Sequence, residues 1–233
     1  MGAPASRAAG STSAPANVLL FDGRGTSPND VAAIERSLHD GHLSYAIADS
    51  LRLDAMGESE LRAYRLLIVP GGNFEQIGNG LKPHTTATLR NAIRHGLNYL
   101  GLCAGAFFAG DSPYNGLNLT SGVRFRFYAA ENVGVHKAAI LIAIAGSLAL
   151  DNYWEDGPQL AGWGSVVGKY PDGTPAIVEG RVGDGWAILS GVHPEAPDNW
   201  RRGLTFATPA VIDNAYAETL TDAALNGKTL AHY

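Results

Sequence analysis

The chain has 233 residues, 45% of them hydrophobic and 17% charged, enough apolar material for one large α/β domain with a real core. A net charge of −5 supplies no electrostatic reason for nucleic acid or an anionic membrane as partner. The single cysteine, Cys103, excludes an internal disulfide and with it a fold that depends on oxidation, which fits the cytoplasm.

Residues 1–16 are almost all Ala, Gly, Ser, Thr and Pro. They cannot build a core and are expected to form a disordered tail ahead of one domain over residues 17–233. The tail has no apolar stretch of an intact secretion signal; as the remnant of a cleaved one, it would mean a secreted or periplasmic protein. The longest apolar run, Ala138 to Leu150, is too short to cross a bilayer and is interrupted by Gly146 and Ser147. A soluble protein is expected.

Asn17 to Asp22 is a short apolar run that reads as a buried first strand. Ser27-Pro28-Asn29-Asp30 then starts a helix: Ser27 as N-cap, Pro28 in the first position, Asp30 near the positive end of the dipole. That helix runs to Asp40 and stops at Gly41. Tyr45 to Ala48 is a second strand, Glu58 to Tyr64 a short helix, and Leu66 to Val69 a third, fully apolar strand running into Pro70-Gly71-Gly72. Thr85 to His95 is helical, and Asn98 to Leu102 is a fourth strand that ends on Cys103. The alternation predicts a three-layer α/β/α sandwich around a mainly parallel sheet. In such sheets ligands bind beyond the carboxyl ends of the strands, where both the Gly71-Gly72 turn and Cys103 fall.

The second half reads as hairpins extending the same sheet. Val123 to Tyr128 alternates in polarity, and Val166 to Tyr170, Ala176 to Arg181 and Gly185 to Leu189 are short strands. The turns Pro171-Asp172-Gly173 and Gly183-Asp184-Gly185 separate the last three. Thr208 to Leu230 is expected as helix in two pieces. No Cys, His and acidic residues share a metal-ligand spacing, and Gly23-Arg24-Gly25 lacks the rest of a dinucleotide fingerprint, so neither a metal nor a cofactor is expected.

Leu100-Gly101-Leu102-Cys103-Ala104-Gly105-Ala106 carries the most chemistry. A free cysteine is ordinarily a small buried hydrophobe. Here an apolar strand leads at once into Gly-x-Cys-x-Gly and then helix-compatible residues, the setting of a nucleophile on a strained strand-to-helix turn. A helix beginning just behind the thiol would favour its thiolate. Downstream, the strand Gly185 to Leu189 leads through Ser190-Gly191-Val192 into His193-Pro194-Glu195. A histidine emerging from a strand end can act as base toward a thiol, and a carboxylate two residues on can fix its tautomer.

Strand-Pro-Gly-Gly, strand-Gly-x-Cys-x-Gly-Ala and a late His-Pro-Glu resemble the class I glutamine amidotransferase superfamily, whose fold is flavodoxin-like. Gly101 to Phe107, Tyr153-Trp154-Glu155-Asp156-Gly157-Pro158 and Ser190 to Glu195 are similar to the biotin-protein ligase N-terminal domain family. The resemblance covers Asn17 to Arg202. It implies a Cys103-His193-Glu195 triad and an oxyanion hole from the backbone N–H groups of Gly72 and Ala104. Gly71, Asn73 and Phe74 after the third strand, with Trp154 and Asp156 in a turn over Tyr153 to Pro158, are the candidate substrate contacts.

The expected activity is a cysteine-dependent hydrolase or amidotransferase-like reaction on a carboxamide or related acyl bond, through a thioester. The partner is then a small amide or acyl substrate. Two alternatives stand beside it: a glutaminase subunit feeding ammonia to a separate synthetase-type partner, and a non-catalytic binding or regulatory domain that keeps the fold. No synthetase or ligase domain is expected within these residues and the glutamine-binding residues of such enzymes have no clear counterpart in them, so neither glutamine nor biotin chemistry is expected from the resemblance.

Overall fold

A computed structural model of the chain describes residues 16–128 and 134–233. Residues 1–15, which hold nearly all of the expected tail, lie outside the described residues.

The first half follows the strand–helix alternation closely. Strands β1 (Val18–Phe21), β2 (Tyr45–Ala48), β3 (Leu66–Val69) and β4 (Asn98–Leu102) form parallel pairs, with β1 between β2 and β3. Helix α1 (Pro28–Asp40) links β1 to β2. Three short helices, α2 (Ser50–Ala55), α3 (Glu58–Leu61) and α4 (Phe74–Asn79), and the longer α5 (Pro83–Arg94) fill the next two connections. Asp49 caps α2 by accepting from Arg52 N–H, and Asn73 caps α4 by accepting from Gln76 N–H. Helix α6 (Ala104–Ala109) leaves β4 directly and is buried along its whole length.

After β5 (Arg126–Phe127) come β6 (Lys137–Ile144), β7 (Leu150–Glu155), β8 (Pro158–Gln159), β9 (Ser165–Lys169), β10 (Pro175–Val182) and β11 (Gly185–Ser190). Strands β5 and β8 pair with each other. The others complete a nine-stranded sheet in the order β2-β1-β3-β4-β11-β10-β9-β6-β7. Strand β11 lies parallel to β4, while β10, β9, β6 and β7 add antiparallel hairpins. This is a mostly parallel mixed sheet flanked by helices.

Alternating side chains divide the core into two layers. Leu19, Phe21, Leu67, Val69 and Tyr99 face the α2 to α6 side, and Val18, Leu20, Leu66, Ile68 and Leu100 face α1 and the last helix. That helix, α8 (Ala210–Asn226), is one piece rather than two, and ends at Gly227 with φ 59°. A short helix, α7 (Asp198–Arg201), precedes it. The alternating segment Val123 to Tyr128 contributes only the two residues of β5. Among the described residues no helix is long and apolar enough to cross a membrane.

Candidate active site

Cys103 sits between β4 and α6 with φ 46° and ψ −102°, a conformation that L-residues rarely adopt. The elbow is held from both sides. Its N–H donates to Ser190 O (2.7 Å), while its carbonyl accepts from Ala106 and Phe107 N–H. Gly105 lets α6 lie against the neighbouring strand β3, because a Cβ there would come 2.0 Å from Val69 O. That strand and the helix behind the thiol therefore touch backbone to backbone, with Gly105 N–H donating to Pro70 O (3.1 Å).

His193 follows β11, next to β4 in the sheet, and is therefore brought to the same edge as Cys103. Its Nδ1 lies 2.6 Å from Glu195 Oε1, and both side chains are buried. The backbone N–H of His193 donates to Tyr153 O (2.8 Å). Two aromatic rings meet the imidazole edge to face, Trp200 at 5.5 Å and Tyr153 at 5.9 Å between centroids. Burial alone would lower the histidine's pKa, but the charges of Glu195 and Cys103 outweigh it and hold the imidazole well above the usual histidine range.

Gly71 packs directly on this ring, and its N–H donates to Asp30, a fully buried side chain of α1. Asp30 Oδ2 lies 3.7 Å from His193 Nδ1. The first-turn position suggested an acidic group serving the helix dipole; the fold turns it inward against the turn after β3 and against His193.

A cavity of about 600 Å³ opens over these residues, within the size range of small-molecule sites. Cys103, His193, Gly71, Gly72, Ala104, Asn73, Phe74 and Asp156 all line it. Neither Gly72 nor Ala104 N–H makes a hydrogen bond within the chain among the described residues. Glu195 stands behind His193 rather than in the wall.

Trp154 is the exception among the expected substrate contacts. It is fully buried, packs edge to face on Tyr128 and donates its indole N–H to Gly157 O (3.2 Å). The tyrosine–tryptophan–glutamate run is the end of β7 rather than a turn, so its side chains alternate. Tyr153 and Glu155 face the cavity, with Tyr153 donating to Glu155 Oε2 (2.6 Å), and Trp154 faces the core. Strand alternation was the signal that could have made that assignment from sequence.

Other lining groups had no sequence signal. Phe107 stacks on Phe74 (4.6 Å between centroids) and packs against Phe127 (4.9 Å), giving an aromatic wall. Lys137 and Arg202 bring positive charge to the rim, and Trp200 covers His193. Lys137 and Asp156 come from the far edge of the sheet, Trp200 and Arg202 from α7 and its end, contacts that only the tertiary fold creates.

Residues 16–114 match the family model described as biotin-protein ligase, N terminal, a span that runs from β1 past Cys103 but stops short of His193. No curated protein matches the chain in sequence. Among solved structures the fold is similar to a glutamine amidotransferase from Thermotoga maritima, at 13% identity, 91% of this chain, 90% of that one and TM-score 0.51. It is also similar to a cytoplasmic protein from Salmonella typhimurium, at 10% identity, 88% of this chain, 98% of that one and TM-score 0.54. A β-galactosidase from Rahnella sp. R3 aligns at 12% identity and TM-score 0.56 over 90% of this chain. The chain spans only 31% of that enzyme's length and 30% of another β-galactosidase's. At these identities the likenesses establish the fold alone.

Proposed function

We propose, for a chain of glutamine amidotransferase-like fold whose residues 16–114 match the biotin-protein ligase N-terminal family, a cysteine-dependent hydrolase or acyl transferase acting on a carboxamide or related acyl bond. One observation carries the reading. A cysteine held at φ 46° on a strand-to-helix elbow shares a cavity with a histidine whose far nitrogen is bonded to a buried glutamate.

In this mechanism His193 takes the thiol proton and Cys103 Sγ attacks the substrate carbonyl carbon. Glu195 holds the imidazole in one orientation and balances the charge it acquires. The carbonyl oxygen, now an anion, is received by the N–H groups of Gly72 and Ala104. Collapse breaks the bond to the amine, which leaves with the proton from His193. Water or another nucleophile, deprotonated by the same histidine, then attacks the thioester, releasing the acyl group and restoring the thiol.

The cavity favours a particular form of substrate. Phe74, Phe107 and Phe127 offer an apolar surface beside the thiol, and Lys137 with Arg202 would favour an anionic group at the rim. Intact-mass spectrometry against a panel of amides and esters tests the assignment. A mass increase of one acyl group on the wild type, absent in Cys103→Ala, is the expected result. An adduct that survives in Cys103→Ala would end the nucleophile assignment.

A further inference from the structure

His193 faces two acidic side chains, and only one of them can be the ordinary partner of its Nδ1. Glu195 Oε1 takes that place at 2.6 Å. Asp30 stands next to both, its Oδ2 3.7 Å from the same nitrogen and already accepting from Gly71 N–H. Single ligating atoms of Asp30, His193 and Glu195 lie within 4.8 Å of one another, and all three residues are buried.

The remaining oxygens are what need explaining. Asp30 Oδ1 and Glu195 Oε2 are both buried and have no hydrogen-bond partner in the chain. Two ionised carboxylates here would place two negative charges around one imidazolium, with lone pairs facing no donor. Such an arrangement is costly in a dry interior. One proton between the two carboxyls removes the excess charge and turns one unpaired acceptor into a donor for the other.

We propose that Asp30 is a positioning residue of the site, sharing one proton with Glu195 behind His193 while its other oxygen fixes the Gly71 turn in front. This rests on the Cys103-His193-Glu195 reading and extends it to a fourth side chain. The titratable groups facing the cluster are Cys103 from the β4–α6 elbow, and Tyr153 and Glu155 from β7. Burial first, then the charge of Glu195, raise the Asp30 carboxyl well above the usual carboxylate range; His193 and the Gly71 N–H oppose them only in part. Asp30 thereby ties the base to the oxyanion turn without touching substrate.

The test uses the full chain and follows iodoacetamide alkylation of Cys103 by intact mass from about pH 5 to 9. Asp30→Ala should slow alkylation by about tenfold or more and move the midpoint of its pH profile. Asp30→Asn, which can accept from Gly71 and donate to Glu195 as a protonated acid does, should recover the rate to within about threefold and restore the midpoint. An Asn variant displaced as far as the Ala variant would make Asp30 an ionised carboxylate and overturn the proposal. So would an Ala variant with neither rate nor midpoint changed. If Asp30→Ala does not fold, the Asn variant against wild type decides, since loss of a real negative charge must lower the midpoint. If wild-type Cys103 resists alkylation altogether, the nucleophile reading fails separately. The His193 imidazole titration followed by NMR then still distinguishes a neutral Asp30, unmoved in Asp30→Asn, from a charged one. Thermal stabilisation by added zinc, lost in Asp30→Asn, would make the cluster a cation site and overturn the shared proton.

Discussion

Gly71 lies so close to His193 that a Cβ on it would come within 2.5 Å of the imidazole Cε1 and 2.7 Å of Asp30 Oδ2. The turn after β3 and the histidine after β11 are thus fitted to each other with no space for one methyl group. Their spacing defines the distance between the expected base and the expected oxyanion donors.

Gly71→Ala therefore acts on geometry. Gly71 is not in the left-handed region, so alanine is allowed by the backbone and only the collision remains. Displacing the ring by a fraction of an ångström to an ångström should cut Cys103 reactivity by up to about a hundredfold. Far-ultraviolet circular dichroism of the folded variant together with its alkylation rate checks this. Unchanged reactivity would mean that the ring moves freely and needs no fixed place.

The elbow gives a second expectation. Cys103→Ala leaves a Cβ at φ 46°, whereas Cys103→Gly removes the conflict. A residue held in so sparsely populated a region costs about 1–3 kcal/mol. The Gly variant should then melt above the Ala variant, by about 2–4 °C per kcal/mol for a chain of this size. Calorimetry compares the two variants; an Ala variant that melts higher would argue against strain at the elbow.

The buried acids set the pH dependence of stability. Asp30 holds its proton to higher pH folded than unfolded, so the native state binds more protons and stability falls as pH rises above the unfolded carboxyl value of about 4. His193 is raised as well, so the stability it contributes is complete below its unfolded value of about 6.5 and is lost as pH climbs through the folded one. Both effects run in the same direction. Asp30→Asn should flatten the decline and melt above wild type at neutral pH. Melting temperatures of the two proteins across that range provide the measurement, and parallel curves would contradict it.

Arg201 anchors the aromatic cover of the histidine. Its guanidinium is buried, pairs with Asp213, donates to Thr208 O and lies 3.7 Å from the Phe206 ring centre. Asp213→Ala leaves that charge unpaired and should cost about 3–5 kcal/mol. Because Trp200 adjoins Arg201 and packs on His193, the loss should also appear as greater exposure of tryptophan fluorescence to quencher. A variant with wild-type stability would show that the pair contributes nothing to the hold on α7.

Strands β2, β3 and β4 were legible to the residue; Leu66 to Val69 in β3, for one, is apolar and buried on both faces and needs no partner to be recognised. Three of the short helices were not. Helices α2, α4 and α7 have four to six residues, too few for a periodic apolar stripe, and two of them are set by Asx caps read only in context. The same limit hid the surroundings of two side chains. Local rules put Asp30 in the first turn of α1, where it lies, and Trp154 in a turn, where it does not; the groups that surround them, Glu195 and Tyr128, lie far along the chain. Cys103, His193 and Glu195 could be named early because Gly-x-Cys-x-Gly and His-Pro-Glu each hold their chemistry within a few residues. The cavity wall could not, since Lys137 and Arg202 meet it from opposite ends of the second half.

The order of these parts along the chain has a consequence for the protein's birth. Strand β4 and the elbow that bears Cys103 are complete by residue 109, but β11, which seats His193 beside them, comes some eighty residues later, after every hairpin of the extension. During synthesis from the amino end the thiol is therefore made long before the histidine proposed as its base, and pairing across so great a separation is slow. A chain stopped short of β11 would carry Cys103 without that histidine beside it. Only when the last strand slides in between β4 and β10 does the sulfur meet its proposed partner, so a reactive Cys103 would certify that the whole sheet has closed.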